Sequence, residues 1–177
     1  MLLEELRALD VSATFFVVAG LEPEILGRIV ADGHEVGYHC GRHVRHSFRE
    51  HDELRREVCD DLLWLEQLGI LPTAWRTPWG DLAPWSGLLA SEFGLELWGW
   101  SDDTRDWSGP SATEMASGLE ASLSDGSVIL MHDGIGPGAL RAHAEATVEL
   151  VAPLVELCRS RGLRPGRVTD DRHAVLA

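Results

Sequence analysis

The stretch that decides the fold runs from Asp52 to Trp75 and reads DELRREVCDDLLWLEQLGILPTAW. Its leucine and valine residues recur at steps of three and four, which predicts an amphipathic helix with one apolar face. Gly69 ends this helix, because glycine adopts the left-handed conformation just past a helix without steric cost. A short apolar strand, Thr73 to Trp75, follows. The segment therefore predicts a helix, a glycine and a strand, with a polar cluster beginning at Arg76.

The same order recurs along the chain. Glycines with the same placement are Gly33, Gly94, Gly126 and Gly162. The predicted strands are Ala13 to Val18, Glu35 to Tyr38, Thr73 to Trp75, Leu95 to Trp100, Val128 to Met131 and Leu163 to Val168. A parallel pair of strands needs a crossover connection, and a helix is the usual one. Strands that alternate with helices are therefore predicted to pair in parallel. The sequence lacks Gly-x-Gly-x-x-Gly and Walker motifs, which favours a parallel α/β barrel over an open nucleotide-binding sheet. We predict one domain over residues 1–177, with Pro153 interrupting a last helix from Arg141 to Arg161.

Composition excludes several functions. The net charge of −14 disfavours binding to nucleic acid or to an anionic membrane surface. All 15 basic residues are arginine, which excludes lysine-based chemistry. Apolar runs fall far short of the roughly 20 residues of a transmembrane helix, so no transmembrane segment is predicted. Acidic residues near Met1 do not fit an export signal, so the sequence as written is expected to be cytoplasmic. A missing upstream segment would instead allow secretion or a cell-envelope location.

Unusual polar residues follow the predicted strands. These clusters are His39 to His43, Arg76 to Gly80, Asp102 to Trp107, and His132 with its neighbours. In a parallel barrel the carboxyl ends of the strands meet on one face, where such enzymes build their active sites. We therefore expect the clusters to converge.

Each cluster has a chemical interpretation and a structural alternative. His39 and His43 could bind one metal ion, with His46 as a third ligand or, more simply, as part of a solvated loop. Arg76 could orient a carboxylate, while a backbone N–H of its turn faces an oxyanion, although a surface turn is the alternative. Asp106 could hold His132 protonated, as a proton donor. Trp79 and Trp107 are predicted as walls for a sugar ring or as core residues.

Taken together, the clusters resemble the polysaccharide deacetylase homology domain, carbohydrate esterase family four. The matching segments are His39 to His43, Arg76 to Gly80, Asp103 to Trp107 and Leu130 to His132, in the family's order. The resemblance implies a distorted (β/α) barrel of about seven strands. It also implies a hydrolase that removes N- or O-acetyl groups from an acetylated poly- or oligosaccharide.

The resemblance implies a role for each matching residue. His39 and His43 would ligate a divalent metal, most commonly zinc, with cobalt or nickel as alternatives. His132 would be the general acid, tuned by Asp106, and Arg76 would position the base. The resemblance also implies that the backbone N–H of Trp79 would bind the oxyanion, and that Leu130 and Trp107 would line the acetyl pocket.

The sequence also departs from the family pattern. Cys40 stands where the family has serine or threonine, and Trp79 where tyrosine is common. The family's opening Thr-Phe-Asp-Asp-Gly strand, which supplies the base and a carboxylate ligand, does not occur. We therefore expect the first strand to be missing through a start codon assigned too far downstream, and the activity to be impaired.

Alternatives remain open. One is a non-catalytic remnant that binds carbohydrate or metal, and another is that Asp102 or Asp103 replaces the missing ligand. An in-frame Asp-Asp-Gly upstream would support the enzyme, whereas a stop codon just before Met1 would support the remnant. A different class of zinc hydrolase is disfavoured because His-Glu-x-x-His is absent.

Overall fold

The computed structural model describes residues 2–170 and divides the chain into two compact units. One unit comprises residues 14–99, and the other comprises the residues up to 13 together with those from 100 onward.

The unit of residues 14–99 contains a four-stranded parallel sheet. Its strands, in spatial order, are β1 (Thr14–Val18), β2 (Glu35–Cys40), β3 (Ala74–Trp75) and β4 (Glu96–Leu97). The connecting helices are α2 (Pro23–Ala31), α3 (His51–Gln67) and α4 (Ser86–Glu92). All four strands lie within or overlap the predicted segments, so the alternation of helix and parallel strand is confirmed. Tyr38 on β2 and Trp75 on β3 are completely buried.

Glycines end the helices as predicted. Gly33, Gly69, Gly94 and Gly162 lie just past α2, α3, α4 and the last helix, with φ angles of 81°, 75°, 67° and 73°. This left-handed conformation turns the chain out of each helix at a position where a Cβ atom would be strained. Gly126 also has a positive φ of 79°, but it lies in a turn rather than directly after a helix, which corrects the prediction there.

The second unit contains two short parallel strands. Its elements are α1 (Leu2–Ala8), β5 (Asp102–Asp103), α5 (Ala112–Leu119), β6 (Ile129–Leu130) and α6 (Glu145–Ser160). Strand β5 pairs with β6 through Asp102 opposite Ile129 and Asp103 opposite Leu130. The core of this unit lies between α5 and α6 and contains Met115, Leu119, Leu123, Leu150, Leu154 and Cys158.

Three predictions for this unit were wrong. Asp102 and Asp103 form strand β5 rather than a loop, because their backbones pair with β6. The segment Leu163 to Val168 contains no strand. Helix α6 is continuous through Pro153 and begins at Glu145, not at Arg141. Apolar residues buried on both sides of the proline hold the two parts in one helix, despite the lost backbone N–H.

Within residues 2–170, no helix is both long enough and apolar enough to cross a membrane.

Candidate active site

The first set of site residues is the histidine pair, His39 and His43. His39 lies on β2 and His43 in the loop that follows it, and their ring centres are 5.1 Å apart. Two imidazoles bound to one zinc ion at about 2.1 Å with a tetrahedral angle have ring centres about 5 Å apart. The spacing of the pair therefore fits two ligands of a single ion.

The hydrogen bond of His39 favours the same interpretation. Its Nδ1 lies 2.5 Å from the carbonyl oxygen of Arg76, so Nδ1 carries the proton and donates. Metal-binding histidines commonly fix their tautomer through such a bond, which leaves Nε2 as the coordinating nitrogen. The carbonyl that orients His39 belongs to the segment after β3, so pairing of β2 with β3 aligns the ring.

Within the described residues, no third side chain joins the pair as a ligand. Cys40 follows His39 directly, but burial raises the pKa of its thiol to about 12, so it is neutral at physiological pH. Among residues 2–170, no group of three or more histidine, cysteine, aspartate or glutamate side chains is placed to hold one ion. The histidine pair could offer two nitrogen ligands, a donor type that fits a divalent metal such as zinc.

Arg76 lies at the end of β3, and its side chain points into the unit. Its Nη2 donates to the carbonyl oxygen of Gly99 at 3.0 Å, and its guanidinium carbon lies 4.2 Å from the centre of the Phe16 ring. Burial lowers the pKa of Arg76 to about 10, so the group remains charged at neutral pH. Only 9% of Arg76 is exposed, so this side chain is not part of a surface turn, although Trp79 in the same segment is 41% exposed. The action of Arg76 on a carboxylate stays a prediction.

Trp79 occupies a strained turn beside the histidine pair. The short 3-10 helix Pro78–Gly80 places Trp79 at φ 56°, a region that non-glycine residues rarely adopt. Its ring packs edge-on against His43, with ring centres 4.2 Å apart, and the Arg45 guanidinium carbon lies 4.8 Å from its centre. Trp79 is 41% exposed, so it is not a core residue. A ring in contact with a candidate ligand and open to solvent is suited to contact a substrate.

The second set is the acid pair, Asp106 and His132, in the other unit. The Asp106 side chain is completely buried, whereas that of His132 is 42% exposed. His132 Nδ1 lies 2.7 Å from Asp106 Oδ1, and the His132 backbone N–H donates to Asp106 Oδ2 at 2.7 Å. Two bonds to one carboxylate fix both the backbone and the ring of His132. The predicted interaction between these two residues is present.

Two residues that the sequence did not identify complete the surroundings of Asp106. Thr147 Oγ1 donates to Asp106 Oδ2 at 2.8 Å, and Arg141 Nη1 donates to the same oxygen at 3.2 Å. Arg141 also donates through Nη2 to the carbonyl oxygens of His132, at 2.6 Å, and Gly134, at 3.0 Å. The sequence held one signal for Thr147, since the apolar period of α6 buries that position. It held none for Arg141, which was predicted to begin the helix.

The charge of Asp106 follows from this network. Burial raises the pKa of Asp106, but the hydrogen bonds from His132 and Thr147 outweigh it and hold the pKa below its usual value. Asp106 is therefore a carboxylate at neutral pH, although it is inaccessible to solvent. Such a group accepts the Nδ1 proton of His132 and directs its other ring nitrogen outward.

The remaining predicted residues differ in exposure. Leu130 is buried on β6, where its carbonyl oxygen accepts a hydrogen bond of 2.8 Å from Thr104 Oγ1. Trp107 is 39% exposed, as a substrate-contacting ring requires. His46 is almost completely buried and its Nδ1 lies 3.0 Å from Ser86 Oγ, so the expected solvated loop was wrong for this residue. Burial lowers the pKa of His46 to about 4, consistent with a neutral core histidine.

A sequence model of the polysaccharide deacetylase family matches residues 1–98, which is more than half of the chain. A chitooligosaccharide deacetylase of Bradyrhizobium sp. (strain ANU 289) is 32% identical over 162 residues, covering 86% of this chain and 74% of the relative. The chain therefore belongs to the polysaccharide deacetylase family. Its predicted class, that of hydrolases acting as carbohydrate deacetylases, is confirmed.

Solved structures agree with this assignment. A peptidoglycan N-acetylglucosamine deacetylase in complex with 4-naphthalen-1-yl-N-oxidanyl-benzamide has a TM-score of 0.87 at 27% identity, over 94% of this chain and 78% of that one. A family 4 acetyl xylan esterase from Clostridium thermocellum, in complex with a cobalt ion, has a TM-score of 0.80 at 24% identity, over 96% and 80%. The predicted fold class, a parallel α/β barrel, is confirmed.

Proposed function

We propose that this protein is a metal-dependent deacetylase that hydrolyses acetyl groups of a carbohydrate, with His132 as the general acid. The observation that carries the proposal is the acid pair, in which a completely buried carboxylate holds a partly exposed imidazole at 2.7 Å. A carboxylate that orients a histidine in this way is typical of general acid–base catalysis. The activity is expected to be weak, because Thr-Phe-Asp-Asp-Gly does not occur in the 177 residues.

The histidine pair would hold the metal. A divalent ion bound there would supply Lewis-acid polarisation of the acetyl carbonyl and a nucleophilic water. The ring spacing of 5.1 Å and the Nδ1 bond of His39 to the Arg76 carbonyl support two-nitrogen coordination. The cobalt ion in the related acetyl xylan esterase supports the choice of a divalent transition metal, for which we propose zinc, with cobalt or nickel as alternatives.

His132 would donate a proton from Nε2 to the leaving amine or hydroxyl of the sugar. Asp106 holds Nδ1, so the outward nitrogen is the one available for transfer. Arg76 keeps its charge despite burial and would orient the base, a carboxylate that belongs to the family's Thr-Phe-Asp-Asp-Gly segment and is not among the 177 residues. The backbone N–H of Trp79, aimed by the left-handed turn, would donate to the oxyanion.

The substrate is proposed to be an acetylated poly- or oligosaccharide that contains N-acetylglucosamine. The names of the relatives support this choice, since one acts on chitooligosaccharides and another on peptidoglycan N-acetylglucosamine. Trp79 and Trp107, which are 41% and 39% exposed, offer aromatic faces to a sugar ring, and Leu130 would line the acetyl pocket.

The test measures acetate released from N-acetylated chitooligosaccharides and acetylated xylan in the presence of Co²⁺ or Zn²⁺. We expect His132→Ala to lower acetate release at least about 100-fold, the usual contribution of a general acid. His39→Ala should remove both acetate release and Co²⁺ binding. His143→Ala is the matched control, because that side chain is 76% exposed and outside both sets of site residues.

Two outcomes would contradict the proposal. Acetate release by His132→Ala equal to that of His143→Ala would exclude the general acid. A chain that binds Co²⁺ and acetylated glycan but releases no acetate from any substrate would instead support the non-catalytic binding protein.

A further inference from the structure

The loop that joins the two histidines lies directly against helix α3. Gly41 stands in this loop, and a Cβ atom there would be 2.6 Å from Asp61 Oδ2 and 3.1 Å from Glu57 Cγ. The first distance is shorter than ordinary Cβ contacts and the second is tight, so any larger residue at position 41 would require the Asp61 side chain or the loop to move. The path of the loop is therefore set by the surface of α3.

Glu57 holds the loop from this surface. Its Oε1 accepts a hydrogen bond of 3.1 Å from the backbone N–H of Arg42, and its Oε2 accepts one of 2.8 Å from Arg42 Nε. Arg49 donates to the same carboxylate from the other side, with Nη2 at 2.9 Å from Oε2. The Glu57 side chain is 11% exposed, and that of Arg49 is 4% exposed. Burial raises the pKa of Glu57, but its hydrogen bonds with Arg49 and Arg42 outweigh this and lower it, so Glu57 remains a carboxylate.

Asp61, one turn further along α3, is fixed in turn by the strand. The completely buried Tyr38 donates its hydroxyl proton to Asp61 Oδ2 at 2.7 Å. Burial raises the pKa of Tyr38, so its hydroxyl keeps the proton that it donates. The oxygen that a Cβ atom at position 41 would meet therefore cannot move away without breaking the hydrogen bond from Tyr38. Strand, loop and helix are tied together at this point.

We infer that Glu57 and Asp61 are positioning residues that set the spacing of the histidine pair before any ion binds. Glu57 fixes the backbone at Arg42, next to His43, while Asp61 limits the path at Gly41, midway between the histidines. Loss of either constraint would let the loop move and separate rings that now lie 5.1 Å apart. The inference rests on the proposed function in so far as the pair binds a metal.

The test compares Glu57→Gln with Glu53→Gln. Glu53 binds the side chains of the same two arginines from a more exposed position, so it controls for the loss of one negative charge. Two properties are measured on the whole chain, the hydrogen-exchange rate of the Arg42 amide and the Co²⁺ affinity by isothermal titration. Glu57→Gln should speed exchange and weaken Co²⁺ binding at least about tenfold, as the loss of an outer-shell partner does. Glu53→Gln should stay within about twofold of the wild type in both.

A second variant, Gly41→Ala, displaces the loop without removing any charge and should weaken Co²⁺ binding similarly. It also provides the test if Glu57→Gln does not fold, as judged by circular dichroism. Equal Co²⁺ affinity in the wild type and in a folded Glu57→Gln or Gly41→Ala variant would overturn the inference. If the wild type itself binds no Co²⁺, the proposed metal function fails. In that case equal exchange of the Arg42 amide in wild type and Glu57→Gln would overturn the positioning role separately.

Discussion

Replacing Asp106 by asparagine removes one charge from the completely buried centre of a hydrogen-bond network without changing the shape of the side chain. Three donors converge on Oδ2, namely Thr147 Oγ1, Arg141 Nη1 and the His132 backbone N–H, so the amide oxygen must take that position. The new NH₂ group then faces His132 Nδ1, where a donor now meets a donor. The imidazole must change its tautomer or lose the bond of 2.7 Å. In either case Arg141 keeps its positive charge in a buried site without a carboxylate.

The size of the effect follows from these losses. Removing one partner of a buried ion pair costs about 3–5 kcal/mol of unfolding free energy, because the other charge stays buried. Asparagine has nearly the same shape as aspartate and keeps the three hydrogen bonds to the Oδ2 position. The expected loss of unfolding free energy is therefore near the lower limit, about 3 kcal/mol. For a chain of this size each kcal/mol lowers Tm by about 2–4 °C, so the expected decrease is about 6–12 °C.

The same reasoning fixes the pH dependence. The pKa of Asp106 is lower in the folded chain than its ordinary value, so its carboxylate stabilises the fold above that ordinary value of about 3.9. This stabilisation is lost as the pH falls through the lowered folded pKa. The difference in Tm between wild type and Asp106→Asn should therefore decrease as the pH falls below about pH 4.

Thermal unfolding followed by circular dichroism measures both effects. Asp103→Asn is the matched control, since that residue is exposed and its Oδ1 accepts one local bond of 2.8 Å from the Arg105 backbone. The control should change the unfolding free energy by less than about 1 kcal/mol. If Asp106→Asn melts within about 2 °C of the control at pH 7, the network does not have the strength that its geometry indicates.

Three further changes test the surrounding structure. Thr147→Val keeps the side-chain shape but deletes the bond of 2.8 Å to the Asp106 carboxylate, and a urea titration should show a loss of about 1.5–3 kcal/mol. Ser111→Ala removes the capping box of α5, so thermal unfolding should show a loss of about 1 kcal/mol. Gly37→Ala places a Cβ atom 2.7 Å from the Phe16 ring in the sheet, and a urea titration should show a loss of about 1–3 kcal/mol.

Each of these has a contradicting result. A Thr147→Val midpoint equal to that of wild type would mean that Asp106 does not need this donor. Unchanged stability of Ser111→Ala would mean that α5 is held by its buried face alone. A neutral Gly37→Ala would show that the Phe16 ring moves aside without cost.

The sequence predicted the architecture where a pattern has a direct physical cause. The helical period from Leu54 to Leu68 and the glycine that follows produced α3 and its left-handed end, as expected. The predicted break at Pro153 was wrong because proline disfavours a helix only locally. The buried apolar residues on both sides of Pro153 keep α6 continuous. The strand Asp102–Asp103 was missed because two acidic residues lack any strand preference, and only the pairing with β6 makes them one.

For the candidate site, residue types and order were informative, whereas supporting partners were not. Asp106 and His132 were named from sequence, and their contact is present at 2.7 Å. Arg141 was not identified, because an arginine in a loop has no spacing rule that connects it to a carboxylate far away in sequence. Glu57 could not be identified from the sequence either, since the surface of α3 carries many acidic residues. Only the structure shows that Glu57 is the one that accepts a hydrogen bond from the Arg42 backbone.

The left-handed backbone of Trp79 has a consequence for anyone who tries to make this protein more robust. At φ 56° a non-glycine residue carries roughly 1–2 kcal/mol of steric penalty, which glycine would relieve. A design that maximised only the free energy of unfolding would therefore replace Trp79 by glycine and obtain a more stable protein. It would also delete the indole ring, whose centre lies 4.2 Å from that of the His43 ring, and with it the aromatic face proposed to contact the substrate.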